Sequence, residues 1–247
     1  MAEPSLARAI EERMLNAWPS VETMVAGAWL LRFANGYSKR ANSATSLGPD
    51  GDLDDAGVSH VLARAAAWGI PAVVRLTPLC HPMLDARLDK RGFSEIEPTC
   101  AMIANLHSDI IDARVDMAPK PDAAWISANA SSYGGVKSNA EHLKAILDRI
   151  RPDAAFATLC EGRHPVAWGI GVIERGMVGL QDIVVAPKMR SRGVGRALVR
   201  SLMAWGAANG AEQAYLHVLA ANDAARNLYR TLGFRDAYRI THRVRTR

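Results

Sequence analysis

The spacing of apolar positions predicts a chain that alternates helices and strands. Leu6, Ile10, Met14 and Ala17 recur every three or four residues, with Glu11, Glu12 and Arg13 between them. Residues 5–17 therefore read as an amphipathic helix, stopped by Pro19. Apolar runs at 29–33 and 41–47 read as strands on either side of a turn at Asn35 and Gly36. Residues 48–55 are polar and loop-like. Helices are expected over 58–68 and 81–91, with a short buried strand at 72–76 between them. Gly92 stands where a helix closes on a left-handed residue, and Phe93 opens an extended segment that runs to residue 106. The second half gives a helix at 139–150, then strands at 154–160, 166–174 and 177–185 separated by Gly162 and Gly176. A helix at 194–209, a strand at 213–218, a helix at 223–232 closed by Gly233 and a strand at 238–244 complete the pattern.

This order repeats. Shifting the chain by 141 positions places Gly69 on Gly210, Gly92 on Gly233 and Phe93 on Phe234 without a gap. The expectation is two copies of one α/β unit, residues 1–110 and 123–247, joined by the polar, two-proline segment 109–122.

Composition narrows the class. The chain has 247 residues, 49% hydrophobic and 22% charged, which excludes disordered, collagen-like and coiled-coil proteins. No apolar run approaches the roughly 20 residues of a membrane span, and the N-terminus has the charges but not the apolar core of a signal peptide. Cys80, Cys100 and Cys160 are scattered without metal-ligand or redox spacing. These features predict a cytoplasmic protein with no metal and no membrane partner. Charge adds an asymmetry, because residues 1–124 hold 12 Lys and Arg against 16 Asp and Glu, whereas 125–247 hold 18 against 9. The basic half calls for an anion, either nucleic acid or a phosphorylated cofactor. Arg239, Arg243, Arg245 and Arg247 alternate near the C-terminus but lack interleaved aromatics, so they are expected to form a solvated face and nucleic acid is not expected to bind them.

Residues 182–198 carry the chemistry. An apolar strand runs into Pro187, then a loop with Arg190, Arg192, Gly193 and Gly195, then the start of a helix. Helix N-terminal amides have no intrahelical partner, and glycines let a phosphate approach the main chain. Gly169 and Gly171 look like part of a dinucleotide fingerprint, but Glu174 stands at the third glycine position and no helix follows. No metalloprotease, serine-hydrolase or nucleotide-hydrolase motif is present.

The run Arg190-Ser191-Arg192-Gly193-Val194-Gly195, after Val185-Ala186-Pro187, resembles the acyl-CoA pyrophosphate loop of the GNAT superfamily of N-acetyltransferases. Residues 222–234, with Asn222, Tyr229, Gly233 and Phe234, resemble that superfamily's second signature. The likeness is nearest to tandem GNAT proteins, and it implies two GNAT-like α/β units with mostly antiparallel mixed sheets flanked by helices, the first degenerate. It also implies acetyl-CoA held by the 190–195 loop, by Ile183, Val184 and Val185 acting as an added strand, and by Asn222, with Tyr229 as the acid that meets the departing thiolate. The acceptor would be a small-molecule or peptide amine. His217 stands where many members carry a glutamate general base, and Asp182 and Glu174 are alternatives. A non-catalytic acyl-CoA-binding module remains the rival reading. The first copy sets Leu88 opposite Tyr229 and the acidic residues 49–54 opposite the phosphate loop, so no cofactor site is expected there. Arg40, Asn42 and Ser43 are read as surface polarity with some prospect of reaching an acceptor.

Overall fold

A computed structural model describes residues 4–48, 53–133, 135 and 139–246. The first half comprises α1 (Pro4–Ala17), β1 (Glu22–Ala26), β2 (Trp29–Phe33), β3 (Ala44–Ser46), α2 (Asp55–Ala67), β4 (Ala72–Leu76), α3 (Leu84–Lys90) and β5 (Ser94–Asn105). The second comprises β6 (Val115–Ala118), α4 (Ala123–Ser131), α5 (Ala140–Leu147), β7 (Asp153–Glu161), β8 (His164–Glu174) and β9 (Met177–Val185). It continues through α6 (Val194–Ala208), β10 (Gln213–Leu219), α7 (Asp223–Thr231) and β11 (Arg235–Arg245).

The described strands form one mixed sheet, in the order β1-β2-β3-β4-β11-β5-β10-β9-β8-β7-β6. The resemblance to tandem proteins implies a sheet in each unit. The difference comes from β5, which belongs to the first half by sequence yet lies between β10 and β11 and pairs antiparallel with both. β11 in turn pairs with β4 of the first half.

Four further expectations are corrected. β1 escapes the alternation test because four of its five residues are exposed on both faces. It pairs antiparallel with β2 through a turn at Gly27, while the expected turn at Asn35 and Gly36 stands between β2 and β3, which also pair antiparallel. The expected strand at 41–47 shortens to β3, preceded by a 3₁₀ turn over Lys39–Ala41. The segment 109–122 contains β6, which pairs with β7. The C-terminal arginines form a solvated face only in part: Arg239 and Arg245 are exposed, donating to Glu95 of β5 and to the Arg91 carbonyl, whereas Arg243 is buried and donates to Asp85 (2.6 Å) and Asp89 (3.3 Å) of α3. Arg247 lies outside the described residues.

Two helical layers sandwich the sheet centre. On one face α1 buries Ala7, Ile10 and Met14 against Ala101, Ile103, Tyr215, Tyr238 and Ile240. On the other, Leu198 and Leu202 of α6 and Tyr229 of α7 pack on Met102, Ala104, Leu216 and Val218. Each fully buried large aliphatic side chain contributes about 1.5–3 kcal/mol. The Gly169 and Gly171 pair serves this packing. A Cβ at Gly169 would lie 2.6 Å from Ile183 Cδ1, and one at Gly171 would lie 3.2 Å from the Trp205 ring of α6.

Candidate active site

The sheet opens where β9 and β10 part. Their parallel pairing runs from Met177↔Gln213 to Leu180↔Leu216 and ends there, although β9 continues to Val185 and β10 to Leu219. A β-bulge accompanies the opening: Gln181 and Val184 pair with Ile170 and Trp168, so two residues of β9 face one of β8. Asp182 occupies the bulge with φ +51°, a left-handed conformation that costs a non-glycine residue on the order of 1–3 kcal/mol. Its Oδ1 accepts from the Tyr133 hydroxyl at 2.7 Å. Past the bulge, Val184 packs with Trp18 and Tyr37 on the α1 face, while Ile183 and Val185 join the α6–α7 cluster.

The loop after β9 makes an anion cradle. Pro187–Met189 form a 3₁₀ turn, Ser191 has φ +60° and Gly193, at φ +78°, caps α6. The Gly193 carbonyl accepts the first helical bond from the Ala197 amide (3.0 Å), so the amides ahead of it have no intrahelical acceptor. Arg190, Ser191, Arg192 and Gly193 are exposed around this helix end, and Val194 anchors it in the core. The Arg190 Nε folds back on the Val185 carbonyl at 3.3 Å. A Cβ at Gly195 would touch Leu228 of α7 and Val185 of β9, both at 3.4 Å. The strand end, the helix start and α7 thus converge at one point beside the open strands. Asn222 caps α7, its Oδ1 accepting from the Ala225 amide at 3.1 Å.

Tyr229 and His217 lie on opposite faces of the opening. Tyr229 is buried in the α6–α7 layer, its ring 5.8 Å from Phe234, and desolvation pushes its hydroxyl up to about 12. His217, the first residue of β10 past the end of the pairing, points to the α1 face. Its ring is 6.4 Å from Tyr215 and 6.5 Å from Tyr238, and its Nε2 is 3.9 Å from Glu11 Oε1. Burial, followed by the charges of Arg75 and Arg40, holds its imidazole well below the usual range and therefore neutral. His217 lines a cleft of about 340 Å³ with Arg75, Glu97, Thr99, His242 and the loop from Gly36 to Arg40. Glu174 is remote from this cleft and accepts from the Asn16 amide.

Several of these residues were invisible in the sequence. Glu11 of α1 forms a buried ion pair with Arg75 of β4, and Tyr238 donates to Glu11 Oε1 at 2.6 Å. Only tertiary packing brings positions 11, 75, 217 and 238 together. Arg40 lines the cleft, but Asn42 and Ser43 are buried, contrary to the surface reading. Asn42 ties its own turn, accepting from the amides of Ala34 and Gly36.

A family described as "Probable histone acetyltransferase Rv0428c C-terminal" matches residues 5–246. The chain belongs to this family. It is 27% identical over 247 residues to the uncharacterized N-acetyltransferase YobR of Bacillus subtilis, covering 96% of this chain and 98% of that one. The probable histone acetyltransferase Rv0428c of Mycobacterium tuberculosis is 25% identical over 251 residues, covering 92% and 70%. Among solved structures, a GCN5-related N-acetyltransferase from Kribbella flavida has the same fold, with a TM-score of 0.69 at 19% identity over 97% of this chain and 95% of that one. A tandem GNAT protein from the clavulanic acid biosynthesis pathway matches at a TM-score of 0.60 and 12% identity, over 96% and 87%. The fold is that of the GNAT acetyltransferases, and membership of the family makes the chain an acyltransferase. Among the described residues no helix is long and apolar enough to cross a membrane.

Proposed function

We propose that this chain is an N-acetyltransferase that moves an acetyl group from acetyl-CoA to an amine by direct attack. The observation that carries the reading is the convergence of the β9 end, the α6 N-terminus and α7 beside the opening between β9 and β10. The opening and its cradle fit an extended arm ending in phosphates. Main-chain groups of Ile183, Val184 and Val185 offer strand-like hydrogen bonds, and the amides of residues 191–195 with Arg190 and Arg192 offer donors to a pyrophosphate. Bound there, acetyl-CoA supplies an electrophilic thioester carbonyl.

The chain's own residues divide the remaining work between the two sheet faces. Neutral His217 takes the proton of an amine entering from the α1 face. Tyr229 meets the departing sulfur on the other face. A phenol at about 12 lies well above a thiol near ~8.5, so Tyr229 assists by donating a hydrogen bond more than by giving up its proton.

The two halves are, on this reading, tandem units of which the first holds no cofactor. The shift of 141 carries β4 onto β10, α3 onto α7 and β5 onto β11, and the sheet order is nearly palindromic about the β11–β5 pair. In the first half Leu88, fully buried, takes the place of Tyr229. Asp54 caps α2 by accepting from the Gly57 amide at 2.7 Å, closing the kind of helix end that Gly193 leaves open. Residues 49–52 of the acidic loop lie outside the described residues.

The test is thiol release from acetyl-CoA with an amine panel, beside calorimetry of acetyl-CoA alone. Expected are one equivalent bound per chain and turnover that falls about 10²–10³-fold in Tyr229→Phe with binding kept, the effect of losing one hydrogen-bond donor to a developing charge. Binding without thiol release for any amine would make the chain an acyl-CoA-binding module instead.

A further inference from the structure

We infer that the cleft beside His217 takes an acceptor amine that also carries a carboxylate. The inference rests on the transferase reading above and names the class of acceptor. The cleft adjoins the opening directly, because Gln181 and His217 are the first residues past the last β9–β10 pair and Arg40 donates to Gln181 Oε1 at 2.5 Å.

Its lining is cationic. Lys39, Arg40 and Arg75 face it against one carboxylate, Glu97, which is half exposed and already paired with Lys39 at 2.8 Å. Arg75 is matched by Glu11 behind it. Arg40 differs: its guanidinium lies 4.7 Å from the centroid of the Trp18 ring, and its hydrogen bond goes to the neutral amide of Gln181. Asp182 acts on Arg40 through its field, but its Oδ1 accepts from Tyr133 and its Oδ2 has no hydrogen-bond partner among the described residues, so it takes up none of the guanidinium donors. A rigid, stacked guanidinium with donors to spare is what a planar carboxylate needs.

Polar groups of the lining also lack partners. Tyr37 Oη, Arg75 Nε and His217 Nε2 are buried without a hydrogen bond among the described residues. A dry apolar ligand would leave all three unpaired, which buried polar groups rarely are. An amine with a carboxylate supplies both kinds of partner. Its N–H groups face a neutral imidazole, and its oxygens face Tyr37 and Arg40. The volume of about 340 Å³ suits a small molecule. The same charge works against a lysine-rich tail, which would bring like charge to Lys39 and Arg40.

The experiment compares free amino acids with their methyl esters as acceptors, together with a lysine-rich peptide, by thiol release and by quenching of tryptophan fluorescence. The ester amine is the less protonated of the two, so a preference for the acid runs against intrinsic reactivity. The expected result is kcat/KM at least tenfold higher for the acid, with the ratio falling to about threefold or less in Arg40→Gln and recovering in part in Arg40→Lys. Equal or better turnover of the esters or the peptide by the unaltered protein overturns the inference and leaves the transferase reading standing. Acid-selective quenching without thiol release supports the binding class and overturns the transferase reading. No quenching and no turnover with any acid overturns the inference.

Discussion

His217 is buried between opposing influences, the carboxylate of Glu11 at 3.9 Å and the cations Arg75 and Arg40. Desolvation and the cations prevail, so the imidazole stays neutral well below its ordinary range. For a base the sign is direct: activity is present where the imidazole is neutral and is lost as pH falls through its depressed pKa. If His217 takes the amine proton, the acid limb of kcat/KM lies below the usual ~6.5. Removing the positive charge at residue 40 relieves part of the depression, so Arg40→Gln shifts that limb to higher pH. A pH–rate profile of both proteins checks this; a limb at or above the ordinary value in the unaltered protein assigns the proton transfer to another group. Tyr229 titrates too high to set the alkaline limb within the usual working range.

At the scale of elements, α1 is the member whose role reaches furthest. Its apolar stripe seals the sheet centre, and Glu11, on the same helix, ties β4 through Arg75 and β11 through Tyr238. Both partners of the ion pair are almost wholly buried, at 1% and 2% exposure. Removing one leaves an uncompensated buried charge. Glu11→Ala should therefore cost about 3–5 kcal/mol, whereas Glu11→Leu combined with Arg75→Met should cost less than the single change. Urea melts of the three proteins decide it. A double variant as damaged as the single one would mean that the tie to Tyr238, not the charge pair, carries the stability. The glycines of β8 belong to this scale as well, since they let α6 sit close enough to hold its N-terminus beside Val185.

For the whole molecule the decisive feature is the central exchange, with β5 seated between β10 and β11, and β11 between β4 and β5. Neither half can complete its part of the sheet without the other. The full chain should unfold in one cooperative transition, with calorimetric and van't Hoff enthalpies in agreement. Residues 107–247 produced alone should fail to fold or to bind acetyl-CoA, and a folded, cofactor-binding fragment would contradict this. Most elements could be read from local pattern. Met177–Val185, α6 and α7 follow from apolar spacing, glycine stops and caps, and the open helix end before α6 from two glycines at a helix start, because these signals act between near neighbours in the chain. β1 and β6 could not: β1 has no buried face to impose alternation, and β6 is an edge strand that alternates over only four residues. The sequence by itself determined the helices other than α4, most of the strands, the glycine loop before α6 and the Tyr229 motif. Tertiary structure alone decided that the halves share one sheet, that β9 and β10 part after Leu180 and Leu216, and that Glu11, Arg40, Arg75 and His242 gather around His217. Those meetings depend on strand pairing and burial across much of the chain, which local periodicity does not encode.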